Sequence, residues 1–573
     1  MRAADPRRRF VRVRLLATVL AAAALAAAGC SKKDVGDGNQ GTTPPAAVNK
    51  RSVTIGISQE PDTLFMPFKE MMAAEEIARP VSYTLTIFDE SWKLIPWAAK
   101  EIPTVENGGL ELFEENGQKK MRTTWVIRDE FNWSDGTPLT AEDFVFTWEL
   151  YKDPTQEIID RTVVEKIEKM EAKGDDKKTL VVTWKEPYAY YHNYRQHEAV
   201  PKHIVEPLYR QDPGALKKHP FGTRPVLAGS FTIKEWVPGS HIIAVKNPHA
   251  KGFLEPKLDE IVWRIIPQTN TLEANLVSGS VDAISTMGLS LDQGLEVSKR
   301  VSDRFDVHFT EGLVWEHVDF NLDNEILKDK RVRQALAYGA DREGISKELF
   351  AGRQPVAHGT EPPRSPYHNP AIKKYAYDPK KAEALLEEAG WKVGAGGIRE
   401  KGGKKLQLVL MTTSGNKTRE QVEVLLQSQW RQIGVDVQIK NEPAKVFFGE
   451  TLRRRKYPAM AMYAWTKDPV TVSDTLWRCD YIPRPENNFQ GQNQPGWCNE
   501  EVDKLLREAS GELDEKKRVA LGQRFEEIFA EELPALPLYF RVDVSVTRKG
   551  LKNWKPTGTL QALTWNAHQW TWE

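Results

Sequence analysis

The 573-residue chain holds three cysteines, no excess of either charge sign, and no long apolar run beyond its first thirty residues. Each shortage excludes something. Basic and acidic side chains both number 80, so there is no positive surplus of the kind that phosphate backbones require, and nucleic acid is not expected as a partner. After residue 28 no apolar segment approaches the roughly 20 residues of a membrane-spanning helix. Motifs that carry chemistry are missing as well: no Gly-x-Ser-x-Gly elbow, no His-Glu-x-x-His, no Gly-x-x-x-x-Gly-Lys phosphate loop and no Cys-x-x-Cys pair. His192, His197 and His203 form a histidine cluster in a Tyr-rich stretch, without acidic ligands at metal spacing, and read as packing or solvated groups. The chain is therefore not expected to be an enzyme, and no cofactor or metal is expected. A secreted hydrolase using two carboxylates is the competing reading from another class, because such residues have no local signature.

The N-terminus reads as a targeting segment. Arg2, Arg7, Arg8, Arg9, Arg12 and Arg14 make a basic region ahead of the apolar run from Leu15 to Ala28, which is short for a membrane span and suits a signal peptide. It closes on Ala27-Ala28-Gly29-Cys30, which resembles the lipobox of bacterial lipoproteins and implies a lipidated Cys30 after cleavage. Arg7-Arg8-Arg9-Phe10 is compatible with twin-arginine export, and the same charges with ordinary Sec export. Residues 1–29 hold six Arg and one Asp, so a chain trimmed there is about five charges negative. Residues 31–50 are mostly Lys, Asp, Gly, Asn, Gln, Thr and Pro, and read as a flexible tether. With Cys30 taken by lipid, Cys479 and Cys498 are left as a candidate disulfide closing a loop of about 20 residues. Two unrelated buried thiols are the alternative.

The remainder, roughly 520 residues, exceeds one core and should divide into several domains. Strand and helix signals alternate. Ser52–Ile57, Thr123–Arg128 and Leu180–Trp184 read as strands, and Thr140 with Asp143 as the capping box of a helix through Phe144 and Trp148. Asp378 caps a helix with Pro379 at its first position, and Gly390 stops it. A second helix runs from Val422 to Ile433, ends at Gly434 and gives way to a strand at 435–439; a third carries Val502, Leu505, Leu506 and Ala509. The pattern predicts α/β architecture with mixed sheets.

Five segments, in order, carry a resemblance. They are Trp125-Val126-Ile127-Arg128 with Phe131-Asn132-Trp133-Ser134-Asp135-Gly136-Thr137-Pro138; Gly229-Ser230-Phe231 with Asn247-Pro248; Gly279-Ser280-Val281-Asp282; Phe320-Asn321 with Asp329-Lys330-Arg331-Val332-Arg333-Gln334-Ala335-Leu336 and Asp341-Arg342; and Leu533-Pro534-Ala535-Leu536-Pro537-Leu538-Tyr539. Together they resemble the dipeptide- and oligopeptide-binding proteins of bacterial ABC importers. In the fourth segment Asp329 reads as the cap of a helix facing inward with Val332, Ala335 and Leu336, and Arg333 and Asp341 as anchors of its ends.

The resemblance implies a large periplasmic-binding-protein-like fold of three lobes with a two-segment hinge. After the signal peptide (1–30) and tether (31–50), the expected parts are lobe I at 51–90, an inserted lobe II at 91–221, lobe I again at 222–311, lobe III at 312–545 and the end of lobe I at 546–573. The crossings are expected near Glu311-Gly312 and Asp543-Ser545. It also implies a peptide ligand, permease and ATPase subunits on other chains, attachment to a membrane through the lipid, and a monomer. Asp468, three after Trp465, stands where the family pairs an aspartate with the peptide ammonium; Asp-Pro is equally a turn opener. Tyr463 and Trp465 would line the pocket or fill a strand face. Met71, Met72 and Trp315 are further candidates for ligand contact, or for core. The 18 tryptophans keep an oligosaccharide ligand as the runner-up, since aromatic platforms suit sugar rings.

Overall fold

The computed structural model describes residues 51–573 apart from 70, 159, 160, 162, 193–197, 488, 560 and 561. Cys30, the signal peptide, the tether and His197 lie outside the described residues.

A ten-stranded mixed sheet is the backbone of the molecule. Its strands are β1 (Ser52–Ile57), β2 (Phe231–Val237), β3 (His241–Lys246), β4 (Glu260–Ile265), β5 (Ala283–Ile284), β6 (Phe305–Phe320), β7 (Gln407–Met411), β8 (Asp436–Ile439), β9 (Met460–Thr466) and β10 (Ala535–Arg548). The spatial order is β8-β7-β9-β6-β10-β5-β1-β4-β3-β2. β1 is parallel to β4 and β5, and β7 to β8 and β9, while β6 and β10 pair antiparallel at the centre. Those two strands are unusually long because each serves both halves of the sheet. Their register breaks between Glu311 and Trp315. At that break Gly558 (φ 71°) packs so closely that a Cβ would stand 2.1 Å from the Glu311 carbonyl oxygen, and the Leu313 amide donates to the Gly558 carbonyl at 3.0 Å.

The apolar interior falls into several clusters, one of which runs past the register break, from Phe305 and Val546 to Phe320 and Leu536. One cluster includes Val53, Trp125, Trp263 and Trp570; another includes Leu336, Trp430, Leu408 and Leu536. A separate antiparallel sheet of Leu110–Glu115, Gln118–Val126, Thr179–Trp184 and Ile167–Lys173 is inserted between β1 and β2. Its second strand begins earlier than the sequence pattern predicts, because Asn116 and Gly117, both with positive φ (54° and 75°), turn a hairpin there.

Local signals place the helices as expected. Helix Ala141–Lys152 starts at a Thr140/Asp143 capping box, and Asp143 is more than a cap: it also accepts the Lys202 amide at 2.9 Å. Helix Pro379–Glu388 is capped by Asp378. Helix Lys330–Tyr338 buries Val332, Ala335 and Leu336 behind the Asp329 cap. Arg333 binds carbonyls of Leu327, Lys328, Glu532 and Leu533, tying this helix to the end of Glu515–Glu532. Asp341 departs from expectation. It caps the next helix, Arg342–Phe350, through the Gly344 amide at 2.8 Å, because the chain turns at Gly339 and starts again. In the third motif Asp282 accepts the Thr54 amide (3.0 Å) and Arg548 Nε (3.1 Å), stitching β1 to β10. Cys479 and Cys498 form a disulfide with their Cα atoms 4.7 Å apart.

Among the described residues no helix is long and apolar enough to cross a membrane.

Candidate ligand-binding site

The crossing of β6 and β10 lies against two cavities that share Thr286, Arg419, Arg541 and Asp543 in their walls. The smaller, about 410 Å³, draws residues from every part of the junction: Met72 and Glu76 from helix Met72–Ala78, Val314 from β6, Thr466 from β9, and Thr557 and Leu563 near the C-terminus. The larger, about 570 Å³, runs beneath Glu316, Tyr539 and Phe350.

Charge at this junction is concentrated and internally matched. Glu316, 1 % exposed, lies between Arg419, whose Nε and Nη2 donate at 3.3 Å, and Arg541. Burial alone would push the Glu316 carboxyl up, but the two guanidiniums hold it below its ordinary value. Arg419 also donates to Thr413 Oγ1 at 3.1 Å. Asp543 is raised to about 6 by burial, against the pull of Arg541. Glu76 is raised to about 8 by burial, opposed only by a hydrogen bond with Ser285. A carboxyl so placed is a proton donor at neutral pH.

Of the residues singled out from the sequence, the structure brings Tyr463, Trp465 and Trp315 together, the Tyr463 and Trp465 rings lying 5.5 Å apart. Met72 is 43 % exposed and walls the smaller cavity; Met71 precedes the same helix as its N-cap residue. Trp465 is half-buried on β9, paired across to Trp315. Asp468, half-buried, accepts the Val470 amide at 3.0 Å, so it does open a turn. Tyr463 and Trp315 have their places taken by the interior. The Tyr463 hydroxyl donates to buried Asp319, and burial drives its own pKa well up. Trp315 is 0 % exposed, stacked on His317 at 4.2 Å and packed toward Trp477 and Phe529. For each of these two rings the sequence leaves ligand contact and interior packing open, and in the structure both pack on neighbouring rings.

The sequence does not single out Glu76, Arg419, Arg541 and Glu316, and places Asp543 only at an expected crossing. Two signals were present. Arg541 and Asp543 stand two apart, just after the apolar first half of their strand, which places both on one face, and Glu75-Glu76 interrupts a short helix whose other residues are apolar.

The tryptophans answer a different question. Of the 18, those outside the buried class are Trp236, Trp465 and Trp572, each half-buried. Trp236 Nε1 donates to Glu60 and Trp572 Nε1 to the Ser52 carbonyl. None stands out as an exposed platform for a sugar ring. His192 is half-buried, and desolvation of its ring lowers its pKa to about 4; His203 pairs with Asp135 at 2.7 Å. Among the described residues no group of three His, Cys, Asp or Glu is arranged to hold a metal ion.

Comparison with known families decides the relationship. The model of bacterial extracellular solute-binding proteins, family 5 (middle region), matches residues 93–482. The chain belongs to that family. The oligopeptide-binding protein AppA of Bacillus subtilis (strain 168) is 28 % identical to it over 446 residues, covering 75 % of this chain and 77 % of that protein. The crystal structure of an oligopeptide-binding protein from Thermus thermophilus, complexed with a pentapeptide, is 33 % identical, with a TM-score of 0.72 over 91 % of this chain and 96 % of that one. The periplasmic EDTA-binding protein EppA superposes with a TM-score of 0.75 over 91 % and 97 % at only 17 % identity. That likeness concerns the fold alone, and a fold does not by itself choose a ligand.

Proposed function

We propose that this chain is the exported capture component of an ABC importer, that its ligand is a peptide, and that it is not an enzyme. The observation that carries the reading is the cavity at the crossing of β6 and β10, walled from both sides of the junction. A ligand held there contacts both halves at once, so it favours whichever relative orientation lets both sets of contacts form. The 33 % identical Thermus thermophilus protein, solved with a pentapeptide, supports peptide as the class. The burial of the tryptophans removes the main support for oligosaccharide.

In this reading lobe I is 51–90, 222–311 and 546–573, lobe II is 91–221 and lobe III is 312–545, with the register break after Glu311 as one hinge segment and the Asp543–Ser545 part of β10 as the other. Cys30 carries lipid, residues 31–50 are the tether, and the monomer docks on permease and ATPase subunits supplied by other chains. Asp468, beside Trp465 at the end of β9, receives the peptide ammonium; in the extended mode of recognition, main-chain hydrogen bonds then hold ligands of varied sequence.

Mass spectrometry of ligand released from the purified protein tests the reading. Peptides are expected, and a glycan or a metal chelate would replace it. Asp468→Asn should weaken peptide affinity by about tenfold or more, as expected for a lost charged hydrogen bond. Unchanged affinity would remove Asp468 from the site while leaving the class of ligand intact.

A further inference from the structure

Glu75 and Glu76 are neighbours in helix Met72–Ala78 with opposite circumstances. Glu75 belongs to a buried ion group: Lys69 lies 3.3 Å from Glu75 and 2.5 Å from Glu198, and Arg79 lies 2.7 Å from Glu75 and 3.7 Å from Glu198. Two cations face two carboxylates, and the group is neutral. Across the junction Arg419 and Arg541 face Glu316 and Asp543, again two against two. Glu76 has no such counterpart. It is 2 % exposed, it walls the cavity, and its Oε1 has no hydrogen-bond partner among the described residues.

Leaving a buried carboxyl oxygen unsatisfied is costly unless something else completes it. The rest of the cavity wall narrows what that is. Met72, Met287, Val314 and Leu563 line the same space, an apolar surface suited to a methylene stem that ends in charge. An anionic group would find both guanidiniums already matched. We propose that this cavity is a subsite for a long basic side chain of the ligand, its ammonium or guanidinium paired with Glu76 and its stem against Met72, Met287, Val314 and Leu563. The inference rests on the peptide reading and narrows it to peptides that contain lysine or arginine.

Because burial holds Glu76 up to about 8, the carboxyl is protonated at pH 7 before such a ligand arrives. Pairing with a cation ionises it, and the proton passes to solvent. Proton release on binding is therefore a readout that a merely structural carboxyl would not give.

The test uses the complete protein and a set of alanine pentapeptides in which lysine, or norleucine of similar length without charge, replaces each position in turn. Titration calorimetry is run at pH 7 in two buffers of different ionisation enthalpy. At one position lysine is expected to bind at least about tenfold more tightly than norleucine, with net proton release, and Glu76→Gln should bring that ratio close to one and abolish the release. Equal affinity of the two series at every position, or a lysine preference that survives Glu76→Gln, overturns the subsite while the peptide reading stands. Agmatine, a guanidinium with an alkyl stem and no peptide bond, separates the two ideas. If no pentapeptide binds but agmatine binds the native protein and not Glu76→Gln, the subsite stands and the peptide reading falls; if agmatine also fails to bind, both fall. Glu76→Gln preserves shape and removes only the ionisable group. Leu563→Asp, which would put a charge against the stem, is a second variant expected to weaken lysine peptides.

Discussion

At the scale of single residues, the junction is governed by which charges have partners. Glu76 ionises near 4.5 in an unfolded chain and near 8 in the folded one. Between those values the folded state holds the extra proton, so its contribution to stability is complete below about pH 4.5 and is lost as pH rises toward 8, at up to about 1.4 kcal/mol per unit. Denaturant titrations of the native protein and Glu76→Gln across pH 5 to 8 should therefore converge at low pH and separate at high pH, the variant being the more stable. Parallel curves would show that Glu76 is ionised in the folded protein throughout. Glu316 has the opposite character. Its charge is kept by Arg419 and Arg541, so Arg419→Met leaves a buried carboxylate with half its support and should cost about 3 kcal/mol, read from the urea midpoint. A loss below about 0.5 kcal/mol would show that Arg541 suffices alone.

Among the elements, β6 and β10 matter most, because each is continuous through both halves and anything that shifts their break shifts the two sets of cavity walls. Gly558 guards that break. A Cβ there would meet the Glu311 carbonyl oxygen at 2.1 Å in a left-handed conformation that already disfavours other residues. Gly558→Ala should destabilise the protein by roughly 1–3 kcal/mol and also weaken ligand binding, whereas an alanine at Gly108, where φ is 71° but nothing lies within 4 Å, should cost the conformational part only. Equal effects of the two substitutions on affinity would mean that the close approach to β6 has no bearing on the site. The helices carry a plainer message. Asp329, Asp378 and Thr140 start theirs where the sequence places them, and Asp341, expected to anchor the end of the Asp329-capped helix, instead caps the next one, because where one helix stops is not set by the residues that start it.

For the molecule as a whole, binding and stability are linked. A peptide present at 100 times its dissociation constant should add about 2.7 kcal/mol, visible as a thermal shift of the native protein and smaller for Asp468→Asn at the same concentration. No shift with any of a broad set of peptides would end the peptide reading whatever the fold.

How far the sequence speaks follows from the range of the forces involved. Turns, caps, period-two strands and the five ordered family segments are written in residues a few positions apart, so the α/β class, the helix starts and the family could be read directly. The Asn116-Gly117 hairpin is equally local, since that pair is a turn signal on its own. The site is a different matter. Glu76, Glu316, Arg419 and Asp543 are each more than a hundred residues from the next and meet only because β6 and β10 pass beside helix Met72–Ala78. Whether a carboxyl there is paired or left over depends on the sum of charges from segments that share no local pattern. Tyr463 and Trp315 show the same limit from the other side: an aromatic on a strand has two faces to choose from, and only the packed neighbours, Asp319 for one and His317 for the other, determined that both turned inward.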